Sequence, residues 1–436
     1  MNLMKSIDGI LNIIGNFELS LHEQNIELIG SLSKRNTNIV LECQTNGDFM
    51  RELVGNNDKH QICGRIAGTE VTLLDSYVSA GNFVGLDYEE GMLTITPSEI
   101  VLGRCTRDEV RVNVISSCMV DLNKMFVNRV LRTHFDLSEG NPSVLYHTFP
   151  KKISAKDKDG EIYIDRRFEI HDGRDTIEFR IKPCIEFRFN VPTEIHEAMT
   201  KIASVRNLLA FFADYYLPLG ELSFADEKTE AEPAIGYCDC ELILNYVEDL
   251  KTPEYPFLIC TNAFESSFQD IWDIWQVFTT ENKHIAALFY EMISDHSRRT
   301  NRFLNLCQCL ETYSKHFRAL EAEAIRNKYL STNKAKVTLK HRLEDLFLHV
   351  NHYLLLEEDK CIELAETISK ARNFFTHYGK GDIEPSFDCI AYSNMFLHFT
   401  LLLVVYNMLG IDDRFILDCK SRIMYKRMNE YIEKIK

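Results

Sequence analysis

The segment Lys370-Ala-Arg372-Asn373-Phe374-Phe375-Thr376-His377-Tyr378-Gly379-Lys380 holds an arginine and a histidine five positions apart, with an asparagine between them and a lysine at each end. A guanidinium presents a rigid fork of N–H donors to phosphoryl oxygens, and a histidine exchanges protons near neutral pH. The pair suits phosphodiester cleavage: Arg372 would stabilise a phosphorane-like transition state, and His377 would move the proton of a ribose 2′-hydroxyl. That arrangement requires no metal. Lys370, Tyr378 and Lys380 are candidate substrate contacts beside it, since lysines near a site favour a phosphate-facing surface. The competing reading of the same residues is a helix-end ion pair at Arg372 and a histidine that caps the last carbonyls.

Spacing alone does not single the motif out, because Arg129/His134, Arg166/His171 and Arg342/His349 have similar spacing. Its setting does. Glu363, Leu364, Ile368, Ala371 and Phe375 recur at helical spacing, and Gly379 supplies a C-terminal stop, so the motif occupies the last turns of a helix with one face in a core. At about 100° per residue Asn373 and His377 share a face, whereas Arg372 and His377 are about 140° apart. Either the helix end distorts or a second copy completes the site. The helix C-terminus also favours an imidazolium, which helps His377 to donate as well as accept.

Other chemistries lack their signatures. There is no G-x-x-x-x-G-K-[ST], G-x-S-x-G or H-E-x-x-H, and the deaminase H-x-E with P-C-x-x-C is missing, so no cofactor or metal site is expected. The 13 cysteines are odd in number and include no C-x-x-C pair. They read as mostly reduced, buried small hydrophobes of a cytoplasmic protein.

A chain of 436 residues with 45% hydrophobic residues is long enough for at least two cores. Short β-branched runs bounded by Gly, Asn or Asp fill residues 10 to 190: Phe17–Leu21, Ile26–Ile29, Asn38–Cys43, Gln61–Ile66, Glu70–Leu74, Gly91–Thr96, Arg111–Ile115, Glu161–Ile164, Thr176–Ile181 and Ile185–Phe189. Lys151–Gly160 reads as an exposed loop or hairpin tip. Thr193 is expected to cap a helix that Pro218 stops. Helices are expected near 263–279, 282–317, 319–330, 336–352, 359–378, 386–409 and 412–434. The expected fold is therefore α+β, a sandwich- or barrel-like β domain followed by an all-α bundle. The expected division is a β-rich sensor or regulatory domain over 1–200, a mixed, acidic connecting region of the same module over 201–295, and the helical bundle with the motif over 296–436. The apolar run Phe396–Leu409 falls short of the roughly 20 residues that cross a bilayer, so it reads as a buried helix and no membrane partner is expected.

The net charge of −16 opposes loose binding of nucleic acid over the whole surface. The charge is uneven, however. Residues 226–295 hold 15 Asp/Glu against 3 Lys/Arg, while 298–380 hold 15 Lys/Arg against 10 Asp/Glu. The C-terminal third is thus the part able to face a polyanion, with the acidic segment available as a restraint.

Ala371-Arg-Asn-Phe-Phe-Thr-His-Tyr-Gly resembles the R-[polar]-x-x-x-H core of the HEPN superfamily, whose helical domains include many metal-independent ribonucleases. Ile14-Gly-Asn-Phe, Ile26-Glu-Leu-Ile-Gly and Ile62-Cys-Gly-Arg-Ile-Ala-Gly-Thr-Glu-Val-Thr-Leu-Leu-Asp resemble the opening strands of the β-rich domain of ApeA-type anti-phage HEPN proteins. The resemblance implies an abortive-infection ribonuclease in which paired HEPN domains of a homo-oligomer build a composite site. Arg372 would bind the scissile phosphate, His377 act as acid/base or orient the 2′-hydroxyl, and Asn373 position His377 or the substrate. The implied substrate is structured RNA, tRNA foremost, cut to 2′,3′-cyclic phosphate and 5′-hydroxyl ends after a phage-derived trigger. The alternative is a non-catalytic HEPN module that binds RNA or a partner. Ser204-Val-Arg206-Asn-Leu-Leu-Ala-Phe211 repeats only the Arg-Asn start, with Phe211 where the histidine would stand, and reads as a structural helix.

Overall fold

The computed structural model describes residues 7–21, 24–35, 38–46, 53, 58–84, 90–105, 110–119, 133–136, 143–146, 153–172, 177–214, 217–225, 240–244, 262–294, 299–329, 336–377, 384–411 and 428–435. The chain divides into two compact units. One comprises Met1–Asn123, Phe149–Arg206 and Pro218–Lys251; the other comprises Lys124–Thr148, Asn207–Leu217 and Thr252–Lys436. The class is α+β, with a β-rich N-terminal part and a helical C-terminal part.

The first unit contains a closed six-stranded barrel of β1 (Ile14–Leu21), β2 (Gln24–Arg35), β3 (Asn38–Asn46), β4 (His60–Ile66), β5 (Thr69–Val84) and β6 (Glu90–Thr96). It closes because β5 pairs with β4 over its first half and with β6 over its second, completing the ring β1-β2-β3-β6-β5-β4. Alternation along the strands fills the interior: Phe17, Leu19, Ile26, Leu28, Leu41, Ile62, Leu73 and Ile95 are buried together. Each such side chain contributes about 1.5–3 kcal/mol by leaving water. The β4–β5 connection is the two-residue turn Ala67–Gly68, with φ of +48° and +84°, which matches the right-handed twist of the flanking strands.

The same sheet continues beyond the barrel. It adds β7 (Glu99–Leu102), β8 (Arg111–Cys118), β11 (Ile153–Asp157), β12 (Gly160–Asp172), β13 (Ile177–Glu194), β14 (Glu221–Ala225) and β15 (Cys240–Leu244). Their order is β11-β12-β13-β8-β14-β15-β7, and β7 joins β5. Separately, β9 (Thr133–Asp136) and β10 (Ser143–Tyr146) pair with each other.

Several expectations change here. Of the two readings of Lys151–Gly160 the hairpin tip holds, at Lys158-Asp159, and the loop does not: β11 lies within the segment because Ile153 and Ala155 are buried. The strands expected at 176–181 and 185–189 are one strand, β13, since β12 pairs antiparallel with it without a break from Ile177 to Phe189. Thr193 is no helix cap. It still pairs with Val112 in the sheet, its hydroxyl donates to the Val191 carbonyl, and α1 (Ile195–Ala213) begins two residues later.

The second unit holds α2 (Asn262–Glu281), α3 (Lys283–Ser294), α4 (Arg299–Phe317), α5 (Ala319–Tyr329), α6 (Leu339–His349), α7 (Asn351–Leu354), α8 (Glu358–His377), α9 (Phe387–Met408) and α10 (Met428–Ile432). The single helix expected over 282–317 is thus two, α3 and α4. The helix expected over 336–352 ends at His349, and α7 follows it, closed by Leu355 with φ +56°. Residues 412–427 of the last expected helix, and 226–239 and 245–261 of the acidic segment, lie outside the described residues. Trp272, Trp275, Phe289, Phe303, Phe347 and Tyr406 are fully buried. The Phe211 of the Arg-Asn half-motif is buried against Trp275, and its carbonyl accepts from the Tyr406 hydroxyl at 2.6 Å. By length and composition α9 is apolar enough to cross a bilayer, yet 83% of its apolar stretch is buried in the protein.

Candidate functional site

Helix α8 carries the Arg–His motif. Glu358 and Asp359 in its first turn complement the positive end of the helix dipole. Cys361, Leu364, Ala365, Ile368 and Ala371 form its buried row, and the helix packs on α6 and α4. Phe375 continues the row, its ring meeting Phe303 of α4 nearly edge-on with centroids 6.4 Å apart. Glu363, expected on this row, points outward and pairs with Lys360 at 3.0 Å.

Arg372 lies on the flank of the buried row and is 30% exposed. Its Nη2 is 3.8 Å from Oε2 of Glu311 on α4, while Oε1 of Glu311 is 2.7 Å from Nζ of Lys315 one turn on. A single carboxylate therefore stands between two cations. Cys307, one turn before Glu311, is fully buried; burial pushes its thiol pKa well up, and the nearby Arg372 charge opposes the rise only in part. The Cys307 thiol is thus a packing group with no nucleophilic role.

Asn373 and His377 are exposed. With Glu366 and Lys370 they form a stripe on the face turned away from the core, all within about 60° at 100° per residue. Lys370 pairs with Glu366 at 2.7 Å, and Glu366 also accepts from Lys340 of α6 at 2.8 Å. Hydrogen bonds from those two ammonium groups hold the Glu366 carboxyl well below the usual carboxylate range, at about 2. The Thr376 hydroxyl donates back to the Arg372 carbonyl at 2.7 Å, occupying one of the last carbonyls of the helix.

Helix α8 is regular through His377, so the angular separation of about 140° between Arg372 and His377 is retained. The fold brings Arg372 to Glu311 and Lys370 to Glu366, and it places Asn373 and His377 one turn apart on open surface. Tyr378 and Lys380 lie outside the described residues. Among the described residues, no group of three or more His, Cys, Asp or Glu is arranged to hold a metal ion.

Two further polar constellations had no local signature in the sequence. In the helical unit, His398 of α9 is nearly buried between Asp214 and Arg302: its Nε2 lies 2.5 Å from Asp214 Oδ1, and Arg302 Nη2 donates to its Nδ1 at 3.2 Å. Nδ1 is thereby the acceptor and Nε2–H the donor, so both ring nitrogens are engaged. In the β-rich unit, a cavity of about 370 Å³ is lined by Lys59, His60, Asp75, Glu194 and His196 among others. There Lys59 donates to Asp75 at 2.6 Å, and burial lowers the pKa of His60. Of the Arg342/His349 pair, His349 accepts from Asn407 of α9 at 3.0 Å.

Comparison with known families gives two matches. A family model described as ApeA N-terminal domain 1 matches residues 12–275, and one described as Apea-like HEPN matches residues 304–415, which include Glu311, Arg372, Asn373 and His377. Comparisons with curated proteins and with solved structures return no match.

Proposed function

The chain belongs to the ApeA family of HEPN proteins, and from that premise we propose that it is an anti-phage, abortive-infection protein whose helical domain is a metal-independent endoribonuclease. HEPN domains generally act on RNA and often pair. The observation that carries the reading is the placement of Arg372 and His377 at the end of α8: a half-buried guanidinium on the flank of the helix and an exposed imidazole on its outer face. One copy presents them in different directions, so two HEPN domains of a homo-oligomer build the site, each supplying an Arg–His set.

In that site an imidazole of His377 accepts the proton of the ribose 2′-hydroxyl as the 2′-oxygen attacks phosphorus. Arg372 holds the equatorial phosphoryl oxygens as their charge grows. The bond to the 5′-oxygen then breaks, and that oxygen takes a proton from an imidazolium, leaving a 2′,3′-cyclic phosphate and a 5′-hydroxyl. Asn373, one turn from His377, orients the imidazole or the ribose. Lys370, Tyr378 and Lys380 contact the flanking phosphates. The substrate is structured RNA, with tRNA the leading class, and the β-rich domain responds to a phage-derived trigger and restrains the nuclease until then.

The test maps new 2′,3′-cyclic phosphate ends in RNA from bacteria expressing the wild type or His377→Ala, with and without phage. Ends that require His377 support the reading. Their absence in every condition, with both proteins folded, overturns cleavage and leaves a module that binds RNA or a partner.

A further inference from the structure

Two cysteines of the β-rich unit face each other across adjacent strands. In the β8–β13 pairing Cys118 is directly opposite Cys184, 66 residues away in sequence. The neighbouring pair, Met119 and Pro183, carries the hydrogen bond from the Met119 amide to the Pro183 carbonyl at 2.8 Å. Antiparallel pairs alternate between hydrogen-bonded and non-hydrogen-bonded types, so Cys118/Cys184 is a non-hydrogen-bonded pair. In such pairs the Cα atoms approach to about 4.5 Å and both side chains leave the same face. That separation lies inside the Cα range a disulfide spans, about 4.4–6.8 Å. The two thiols meet accordingly, with Sγ atoms 2.6 Å apart, and neither cysteine is in a disulfide.

We propose that Cys118 and Cys184 are a redox modification site: a dithiol that a peroxide converts to a reversible cross-strand disulfide. Cys118 is 4% exposed and ends its strand, whereas Cys184 is 0% exposed and central to β13. Cys118 is therefore the sulfur that meets oxidant when the strand end frays. Its sulfur attacks one oxygen of hydrogen peroxide; the S–O bond forms, the O–O bond breaks, and one water leaves with the thiol proton. Cys184 then attacks the Cys118 sulfenic acid, forming the S–S bond and expelling the hydroxyl as a second water with the Cys184 proton. In sum two thiols lose two hydrogens and two electrons, and one peroxide becomes two waters. The link pins β8 to β13 on the far side of the register break between Arg188 and Thr193, just before the chain enters α1.

The exposed Cys105 of the same unit supplies an internal control for oxidant. Folded full-length protein is treated with hydrogen peroxide, its remaining thiols are alkylated under denaturing conditions, and the digest is analysed by mass spectrometry. The expected product is one peptide pair joining Cys118 to Cys184, lost after dithiothreitol. In Cys184→Ser, a trap for sulfenic acid should label Cys118 and no link to it should form. Full alkylation of Cys118 and Cys184 in protein whose Cys105 has been oxidised would overturn the proposal. So would a Cys118 that links to a different cysteine when Cys184 is present.

Discussion

The Arg372 guanidinium lies 3.8 Å from the Glu311 carboxylate, which a shorter 2.7 Å contact ties to Lys315. A phosphate that binds Arg372 must compete with this carboxylate. Glu311→Gln is therefore expected to tighten binding of a non-cleavable 2′-O-methyl RNA, by up to about fivefold for a partly exposed ion pair. Titration by fluorescence anisotropy at fixed salt measures it; unchanged or weaker binding refutes the competition.

Arg372→Ala should lower kcat on RNA by about 10²–10³, and His377→Ala by about 10²–10⁴, with the helical circular dichroism unchanged. Arg372→Lys should not restore the rate, because an ammonium lacks the planar fork that spans two phosphoryl oxygens. Single-turnover kinetics on the mapped substrate distinguish this from a purely electrostatic role, in which lysine would rescue.

Glu366 gives the outer face of α8 a dependence on acid. Its carboxyl is held at about 2 in the folded chain against an ordinary 4.5. A depressed carboxylate contributes stability that is complete above its ordinary value and is lost as pH falls through its folded one. The loss should run from about pH 4.5 down to about 2, and Glu366→Gln should flatten it. The side chain is 41% exposed, so solvent screening keeps the effect below about 1 kcal/mol. Denaturation series at stepped pH for both proteins give the comparison.

Asp214 has φ +56° and meets His398 in the buried network with Arg302. Asp214→Gly keeps that backbone conformation accessible while removing the carboxylate. Stranding a buried hydrogen-bonding partner costs about 1–3 kcal/mol. Replacing both partners, as in Asp214→Gly with His398→Leu, should cost less than the sum of the single changes, because no imidazole is left without its acceptor. Chemical denaturation of the four proteins completes the cycle, and strict additivity would show that the two side chains are not coupled.

The local part of the site was legible in the sequence. Period and stop signals placed Arg372, Asn373 and His377 at the end of one helix, and the geometry of a helix alone separated Arg372 from His377. Glu311 was not legible, because it reaches Arg372 from another helix and its neighbours in sequence mark only an ordinary pair with Lys315. Glu363 was assigned to the apolar row by spacing, yet its charge takes it outward to Lys360. In the β-rich half the six barrel strands and β8, β12 and β13 could be read from their β-branched runs, whereas the short strands β7, β14 and β15 could not. Closure could not, since it depends on β5 changing partners from β4 to β6 midway along its length. Thr193 shows the same limit: a good capping residue stays in a strand when the sheet offers its backbone a partner in Val112.

The thirteen-strand order also bears on how the protein behaves at high concentration. One end of that order folds back on itself, because β6 is paired to β5 as well as to β3, so among the described residues the order has one open end, β11. That strand is five residues long and turns the charged Lys156 to solvent. A short, charged terminal strand is a poor template for adding a foreign strand. Along Gly160–Ile164 of β12, the stretch that β11 covers, the sheet should therefore resist edge-to-edge addition as the protein accumulates in a cell.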